Sequence, residues 1–249
     1  MTCYKLYTFA ERHDRAEEAD ALCSTVWPKF MLQDPVANRN WGYLMDEFAD
    51  YQFFLCDESD AIVAVGNTIP LKWDASLESL PDRGWDAIFE MGVRHLKGCV
   101  APNILSALQA IVVNGQQGKG LSAEVMHGMR RIAQQRGFPF LIAPVRPTWK
   151  SRYPLIPMAD YIGWQTPEGL PFDPWLRVHA RLGAQTIKVA PRSMKITGSI
   201  ADWEGWTGLR FPASGKYIVP DALNPVTMNV EKDFGAYLEP NVWMVHPLA

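Results

Sequence analysis

Apolar residues recur along this chain with two periods, and both periods meet in one stretch near its middle. Residues 108–113 form a short apolar run, interrupted only by Gln109 and rich in β-branched side chains, which predicts a buried strand. Beyond it, apolar residues recur at spacings of four, four and three, at Leu121, Val125, Met129 and Ile132. This spacing puts the four side chains on one face of a helix, and Gly137 is suited to end that helix.

Similar patterns predict the elements on both sides of this strand–helix unit. Residues 51–56 and 61–69 are predicted strands joined by a turn at 57–60. Residues 138–145 are a predicted strand after the helix, and strands joined by a helix are expected to pair in parallel. The other predicted elements are a strand at 4–9, helices from 15 to Pro28, at 41–48 and at 85–96, and a helix at 175–182 that Asp173 and Pro174 begin.

The last third of the chain is predicted to extend the sheet. Residues 145–175 are rich in proline and aromatic residues, which predicts a covering loop with a short helix inside. Residues 184–249 alternate in several places, which predicts further strands, with Pro191 at an edge or a bulge and residues 241–243 docked on the fold. Four aromatic residues here either wall a substrate pocket or belong to the core: Trp203, Trp206, Tyr217 and Trp243.

Composition and charge narrow the classes of function. The chain has 249 residues, of which 48% are hydrophobic and 20% are charged, and its net charge is −3. It therefore offers no basic field for nucleic acid or an anionic membrane. No run reaches the roughly eighteen apolar residues of a membrane helix, and the first residues have no apolar signal core. The scattered cysteines predict reduced thiols and a cytoplasmic protein: Cys3, Cys23, Cys56 and Cys99.

No metal site is expected from the spacing of histidine and cysteine residues. Four of the five histidines are assigned no chemistry for the same reason: His13, His95, His127 and His246.

The segment between the central strand and its helix has the features of an anion site. Gly118 and Gly120 let a ligand approach the backbone closely, because they carry no Cβ. The first turn of the helix supplies unpaired N–H groups and the positive end of its dipole, and Lys119 adds a mobile positive charge. The spacing matches neither a P-loop nor the dinucleotide-binding fingerprint. A plain strand-to-helix turn with two glycines is the alternative interpretation.

The pattern Gln117-x-x-Gly120-x-Ser122 resembles the acyl-CoA pyrophosphate loop of the GNAT N-acetyltransferase superfamily. The chain departs from the family pattern at Ser122, where Gly or Ala is usual. The resemblance implies an α/β GNAT fold with a mixed, mostly antiparallel sheet, a V-shaped opening between the two central strands and helices on both faces. It also implies one domain, residues 1–249, with a core at about 51–189 and a strand-rich C-terminal extension at about 190–249.

By the same resemblance, the substrate is acetyl-CoA or another acyl-CoA. Its pantetheine arm would bond to backbone groups of Val112 and Val113. Its pyrophosphate would lie on the loop formed by Gln117, Gly118, Lys119, Gly120, Leu121 and Ser122.

A later segment, Val-His-Ala-Arg-Leu-Gly, resembles the late GNAT helix and carries His179 where the family usually has a tyrosine. That tyrosine protonates the departing CoA thiolate in the family, and a histidine could either donate or accept a proton. The alternative is a satisfied polar residue on the flank of a helix. Residues 103–114 contain no acid to deprotonate an amine, which leaves Thr148 and His179 as the polar pair near the thioester. For Thr148 the alternative is a helix cap.

A narrower resemblance, carried by residues 145–158, 173–183 and 193–208, is to the GNAT-like loading domains of curacin-type polyketide synthases. Those domains decarboxylate malonyl-CoA and pass the acetyl group to a carrier-protein thiol, and their functional Thr and His correspond to Thr148 and His179. We expect no fused carrier protein from this sequence. The leading hypothesis is therefore a GNAT-type acyltransferase with His179 as general acid or base. A malonyl-CoA decarboxylase with S-acetyl transfer and a non-catalytic acyl-CoA sensor remain as alternatives. The sequence leaves the acceptor open, which could be an amine or a carrier-protein thiol. It also leaves open the acyl group and the oligomeric state, for which a homodimer is one candidate.

Overall fold

The structure, a computed structural model, describes residues 4–248, so the predicted free thiol of Cys3 lies outside the described residues. Within this described range nine strands form one sheet, in the order β1-β2-β3-β4-β5-β9-β8-β7, with β6 paired to β9. The strands are β1 (Lys5–Thr8), β2 (Phe53–Cys56), β3 (Ile62–Leu71), β4 (Ile104–Val112), β5 (Phe140–Val145), β6 (Gln185–Gly198), β7 (Gly215–Tyr217), β8 (Val226–Asn229) and β9 (Phe234–Pro247). Among these strands the pairing is antiparallel except between β4 and β5, which confirms the mixed, mostly antiparallel sheet.

Eight α-helices surround the sheet within residues 4–248, and short 3-10 turns connect several of them. The helices are α1 (Ala16–Ser24), α2 (Pro35–Asn40), α3 (Gly42–Met45), α4 (Gly84–Lys97), α5 (Leu121–Gln135), α6 (Met158–Tyr161), α7 (Pro174–Arg181) and α8 (Ile200–Thr207). The helix predicted at 41–48 is shorter than expected and follows α2, which was not predicted. Asp34 begins α2 by accepting bonds from the N–H groups of Val36 and Ala37, with Pro35 in the first helical position.

Helices cover both faces of the sheet, as the resemblance implied. Successive residues of a strand point to opposite faces, and on β4 the side chains of Ile104 and Leu108 pack in one core with α4. Leu105, between them, packs in a second core with Leu121 and Val125 of α5. The apolar face predicted for α5 is therefore the face that attaches it to the central strands.

The two central strands separate soon after they meet. β4 and β5 pair in parallel over only two positions, Leu105 with Leu141 and Ser106 with Ile142. A register shift between β3 and β4 at Asn67 and Thr68 bends β4 just beyond that point. Because both strands continue without bonding each other, a V-shaped opening is left between them.

The C-terminal segment completes the sheet more extensively than the sequence indicated. β9 bonds to β5 along one edge and to β6 along the other, and residues 239–246 are all buried. The predicted bulge near Pro191 is confirmed, because the register of β6 shifts between Ala190 and Met194. Helix α8 was not predicted, although Ser199 and Asp202 form a capping box at its start. The fully buried Trp203 and Trp243 belong to the core and do not line a pocket.

Candidate active site

A cavity of about 920 Å³ begins at the opening between β4 and β5 and extends toward α1 and α2. Its walls include β4, the end of β5, the start of α5 and the helix α7. Five of the residues singled out from the sequence line it: Val112, Gln117, Ser122, Thr148 and His179. The fold thus gathers in one cavity residues that are far apart in the chain.

The loop before α5 has the backbone conformation that its glycines allow. Gly118 and Gly120 have φ values of +80° and +78°, in the left-handed region that favours glycine. A Cβ at either position would meet no atom within 4 Å, so the surface above the loop is open. No side chain caps α5, and within residues 4–248 the N–H groups of Leu121 and Ser122 have no acceptor. An anion is favoured at such a helix start.

The long side chains of the loop hold its shape. The Gln117 amide accepts a bond from the Gly115 N–H at 2.9 Å and donates to the Val112 carbonyl at 3.3 Å. Lys119 donates to the Gln116 side chain at 2.7 Å, so its charge remains at the exposed rim. Gln117 therefore braces the loop, while Leu121 is buried in the core and presents only its backbone.

At the end of β4, the backbone N–H and C=O groups that face the opening are those of Val112 and not those of Val113. The N–H of Val113 donates to the Val63 carbonyl on β3 at 3.0 Å, and its carbonyl accepts from Gln116 at 3.0 Å. Backbone groups alternate in direction along a strand, so those of Val112 and Ala110 point away from β3 into the cavity. The expectation for Val113 is thus corrected, because both of its backbone groups are already used.

His179 lies on the cavity side of α7 and is 1% exposed. Its Nδ1 is 2.9 Å from Nε2 of His246 on β9, and the edge of the Trp175 ring packs on it with centroids 4.4 Å apart. Burial, together with the neighbouring His246, holds the pKa of His179 well below its usual value. At neutral pH the ring is therefore an uncharged base.

Thr148 is exposed in the same cavity and is held by Asp173. The buried Asp173 carboxylate caps α7 through the N–H groups of Trp175 and Leu176. It also accepts bonds from the N–H groups of Thr148 at 3.3 Å and Trp149 at 2.8 Å. One carboxylate thus fixes both the loop of Thr148 and the helix of His179. The helix-cap interpretation of Thr148 is wrong, because the cap position of the following 3-10 turn is Trp149 and no side chain caps it.

Sequence reasoning missed His246 and the acidic residues at the far end of the cavity. Asp20, Asp221 and Glu239 line that end. Glu239 is buried and paired with Arg146 at 2.9 Å. Asp20 accepts a bond from the Trp41 indole, and within the described chain the Asp221 carboxylate forms no ion pair within 4.0 Å. These residues come from separate elements, so no spacing in the sequence could have joined them.

Within residues 4–248, no three His, Cys, Asp or Glu side chains cluster as a metal site would require. None of the helices in that range combines the length and apolar character that a membrane crossing demands.

Comparisons with known proteins give one relative over the whole chain and several similar folds. Arginine N-acetyltransferase avaD of Aspergillus versicolor is 35% identical over 275 residues, covering 98% of this chain and 94% of that protein. The loading GNATL domain of CurA from Lyngbya majuscula has a similar fold, with a TM-score of 0.66 and 18% identity over 99% of this chain and 98% of that one. The GphF GNAT-like decarboxylase, in complex with isobutyryl-CoA, has a TM-score of 0.54 and 15% identity over 99% and 100% of the two chains. No protein-family model matches the chain.

Proposed function

The chain belongs to the GNAT superfamily and is an acyltransferase, and we propose that it transfers an acyl group from acyl-CoA to a nitrogen of arginine or of a closely related guanidine compound. The observation that carries this proposal is the single cavity, which connects an uncapped helix start, a free strand edge and His179 to an acidic far end. The relative that covers nearly the whole chain is named as an arginine N-acetyltransferase.

Acyl-CoA would bind along the first half of this cavity. Its pyrophosphate would accept bonds from the N–H groups of Leu121 and Ser122 and from the open loop at Gly118 and Gly120, with Lys119 adding charge at the rim. The pantetheine arm would bond to the cavity-facing edge of β4 at the N–H of Val112, since the Val112 carbonyl already accepts from Gln117. This arrangement leads the thioester toward His179 and Thr148.

The transfer needs one base and one donor. As the acceptor nitrogen forms its bond to the acyl carbon, Nε2 of His179 would take the proton that the nitrogen loses. His179 would then give that proton to the CoA sulfur as the carbon–sulfur bond breaks. The Thr148 hydroxyl, which bonds to no other group within residues 4–248, would donate to the thioester oxygen as negative charge develops there.

The acceptor would bind at the far end of the cavity. A guanidinium group is planar, always charged at neutral pH and suited to bidentate bonds with carboxylates. Asp221 and the second oxygen of Asp20 are available for such bonds, whereas Glu239 is neutralised by Arg146. The rings of Trp27 and Trp41 line the same end and would cover the apolar part of the acceptor.

We further propose that residues 1–249 act as one GNAT-like domain, because β5 and β9 join the core and the C-terminal strands in one sheet. We keep the cytoplasm as the proposed compartment, since the thiols of Cys23, Cys56 and Cys99 form no disulfide.

The test is an acceptor panel with purified full-length protein. Acetyl-CoA is incubated with arginine, with agmatine, with lysine and with 2-phenylethylamine, and products are identified by mass spectrometry. Acetylated arginine or agmatine, with no acetylated phenylethylamine, supports the proposal. Binding of acetyl-CoA with no product from any acceptor would overturn it and favour an acyl-CoA sensor.

Decarboxylation is a second candidate, favoured by one observation. Thr148 and His179 line the same cavity, and a hydroxyl with a histidine could hold a thioester enolate and return a proton to its carbon. The assay is malonyl-CoA alone, followed by mass spectrometry. Conversion to acetyl-CoA that depends on His179 would support decarboxylation and direct the search for an acceptor to carrier-protein thiols.

A further inference from the structure

His246 lies within hydrogen-bond distance of His179, the base of the proposed reaction. It lies near the end of β9, 67 residues from His179, and both side chains are buried. Nε2 of His246 is 2.9 Å from Nδ1 of His179, so one of these two atoms carries a proton and the other accepts it. The two rings are tilted by 48° with centroids 5.1 Å apart.

The proposed reaction decides which atom of this pair carries the proton. Nε2 of His179 takes a proton from the acceptor nitrogen, so the one proton of the neutral His179 ring has to lie on Nδ1. Nε2 of His246, 2.9 Å away, then accepts the Nδ1–H. The proton of His246 lies on its own Nδ1, which has no hydrogen-bond partner within the described residues.

In this tautomer, Nε2 is the nitrogen of His179 that can accept a proton. His179 lines the cavity, and within residues 4–248 its Nε2 has no hydrogen-bond partner. With the proton on Nδ1, Nε2 is an unprotonated base directed at the space where the acceptor and the thioester would meet.

The charges near the pair keep it neutral at rest. Burial and the guanidinium of Arg130 on α5 lower the pKa of His246 to about 4, with the Leu182 carbonyl opposing them. Arg130 itself donates to the Leu182 carbonyl. On the α7 side the packing partner of His179 is Trp175, which is uncharged. No carboxylate within residues 4–248 contacts either ring.

The partner of His179 fixes its tautomer without adding a charge. A carboxylate at Nδ1, as in a Ser-His-Asp triad, would also stabilise the imidazolium and make His179 a stronger base. The neutral imidazole of His246 supplies only the acceptor for the Nδ1–H, so the His179 ring stays neutral at rest.

We propose that His246 is a positioning residue, which fixes the tautomer of His179 by accepting its Nδ1–H. This inference rests on the proposed acyl transfer. The nitrogen–carbon bond forms and the carbon–sulfur bond breaks. The proton from the acceptor nitrogen passes to Nε2 of His179 and then to the CoA sulfur, while the Nδ1–H stays between the two rings.

The first experiment needs no substrate, so it separates this inference from the proposed function. In the full chain labelled with ¹⁵N-histidine, ring-nitrogen shifts report which nitrogen of each histidine is protonated. We expect His179 to be protonated at Nδ1 and unprotonated at Nε2. A His179 ring protonated at Nε2 at neutral pH would overturn the inference, whatever the activity of the protein.

The second experiment measures kcat, KM and their pH dependence in His246→Leu and His246→Gln. Leu removes the acceptor, so kcat should fall by roughly 10- to 100-fold while KM for acyl-CoA should hold. The pH profile of kcat should shift, because the pKa of His179 depends on the neighbouring ring that is removed. The Gln side-chain oxygen can accept the Nδ1–H, so His246→Gln should recover most of kcat. His127→Leu, on the exposed side of α5, is the matched control. A folded His246→Leu with unchanged kcat and pH profile would overturn the inference, as would equal losses in His246→Leu and His246→Gln.

Discussion

Asp173 connects the two parts of the proposed active site, and its removal should cost more stability than the loss of most single polar side chains. In Asp173→Ala, α7 loses its cap, which costs about 1 kcal/mol. The Trp149 N–H and the buried Tyr161 hydroxyl, which bond to Asp173 at 2.8 Å each, also lose their acceptor. Each unsatisfied buried donor costs about 1–3 kcal/mol, so the total is about 3–7 kcal/mol. For a chain of this length that lowers Tm by roughly 6–28 °C.

The measurement is denaturant unfolding of Asp173→Ala beside Ser199→Ala. Ser199 caps α8 from a half-buried position and supports no second segment, so its loss should cost only about 1 kcal/mol. Asp173→Ala should also lower kcat, because the loop of Thr148 and the helix of His179 are no longer joined. Equal, small destabilisation in the two variants would refute the reasoning that Asp173 fastens both segments.

Three further outcomes are expected. Gly120→Glu should weaken acyl-CoA binding by roughly tenfold or more in a calorimetric titration. Gly169→Glu, with a similar φ of +75° and no atom within 4 Å, should not, and equal weakening in both would point to folding and away from the loop. Asp221→Asn should raise KM for arginine by roughly tenfold with acyl-CoA affinity unchanged, and an unchanged KM would remove Asp221 from the acceptor site. Burial and the neighbouring Asp34 raise the pKa of Asp86 to about 8, from 3.8. The folded state holds that proton more tightly than the unfolded state does. As the pH rises from 3.8 to about 8, the free energy of unfolding should therefore fall by up to about 1.4 kcal/mol per pH unit. Asp86→Asn should flatten that slope, and a slope as steep as in the wild type would contradict the assignment.

Much of the fold could be predicted because, in its central part, each local sequence pattern agrees with the element that forms. The run before Asn114, the glycines of the loop and the spacing from Leu121 to Ile132 each predict the element that forms. The short pairing of β4 and β5 was expected only through the family resemblance, because divergence of two strands depends on a bulge and on packing and leaves no period in the sequence.

The parts that escaped prediction depend on contacts across the fold. The length of β9 was not predicted, because Glu239, Asn241 and His246 interrupt its apolar pattern. All three side chains are buried among polar partners. His246 gave no indication of chemistry for the same reason, since its partner lies on α7. By contrast, α8 carried a recognisable signal, the Ser199 and Asp202 capping box, that was not used.

The central claim is that this cavity performs acyl transfer with His179 as its base. The most direct measurement compares His179→Ala with the wild type in acetyl transfer to arginine, with acetyl-CoA affinity measured in the same preparations. The account predicts that kcat falls by roughly 10²- to 10⁴-fold while the Kd of acetyl-CoA is unchanged. Transfer at the wild-type rate in a folded His179→Ala would contradict it.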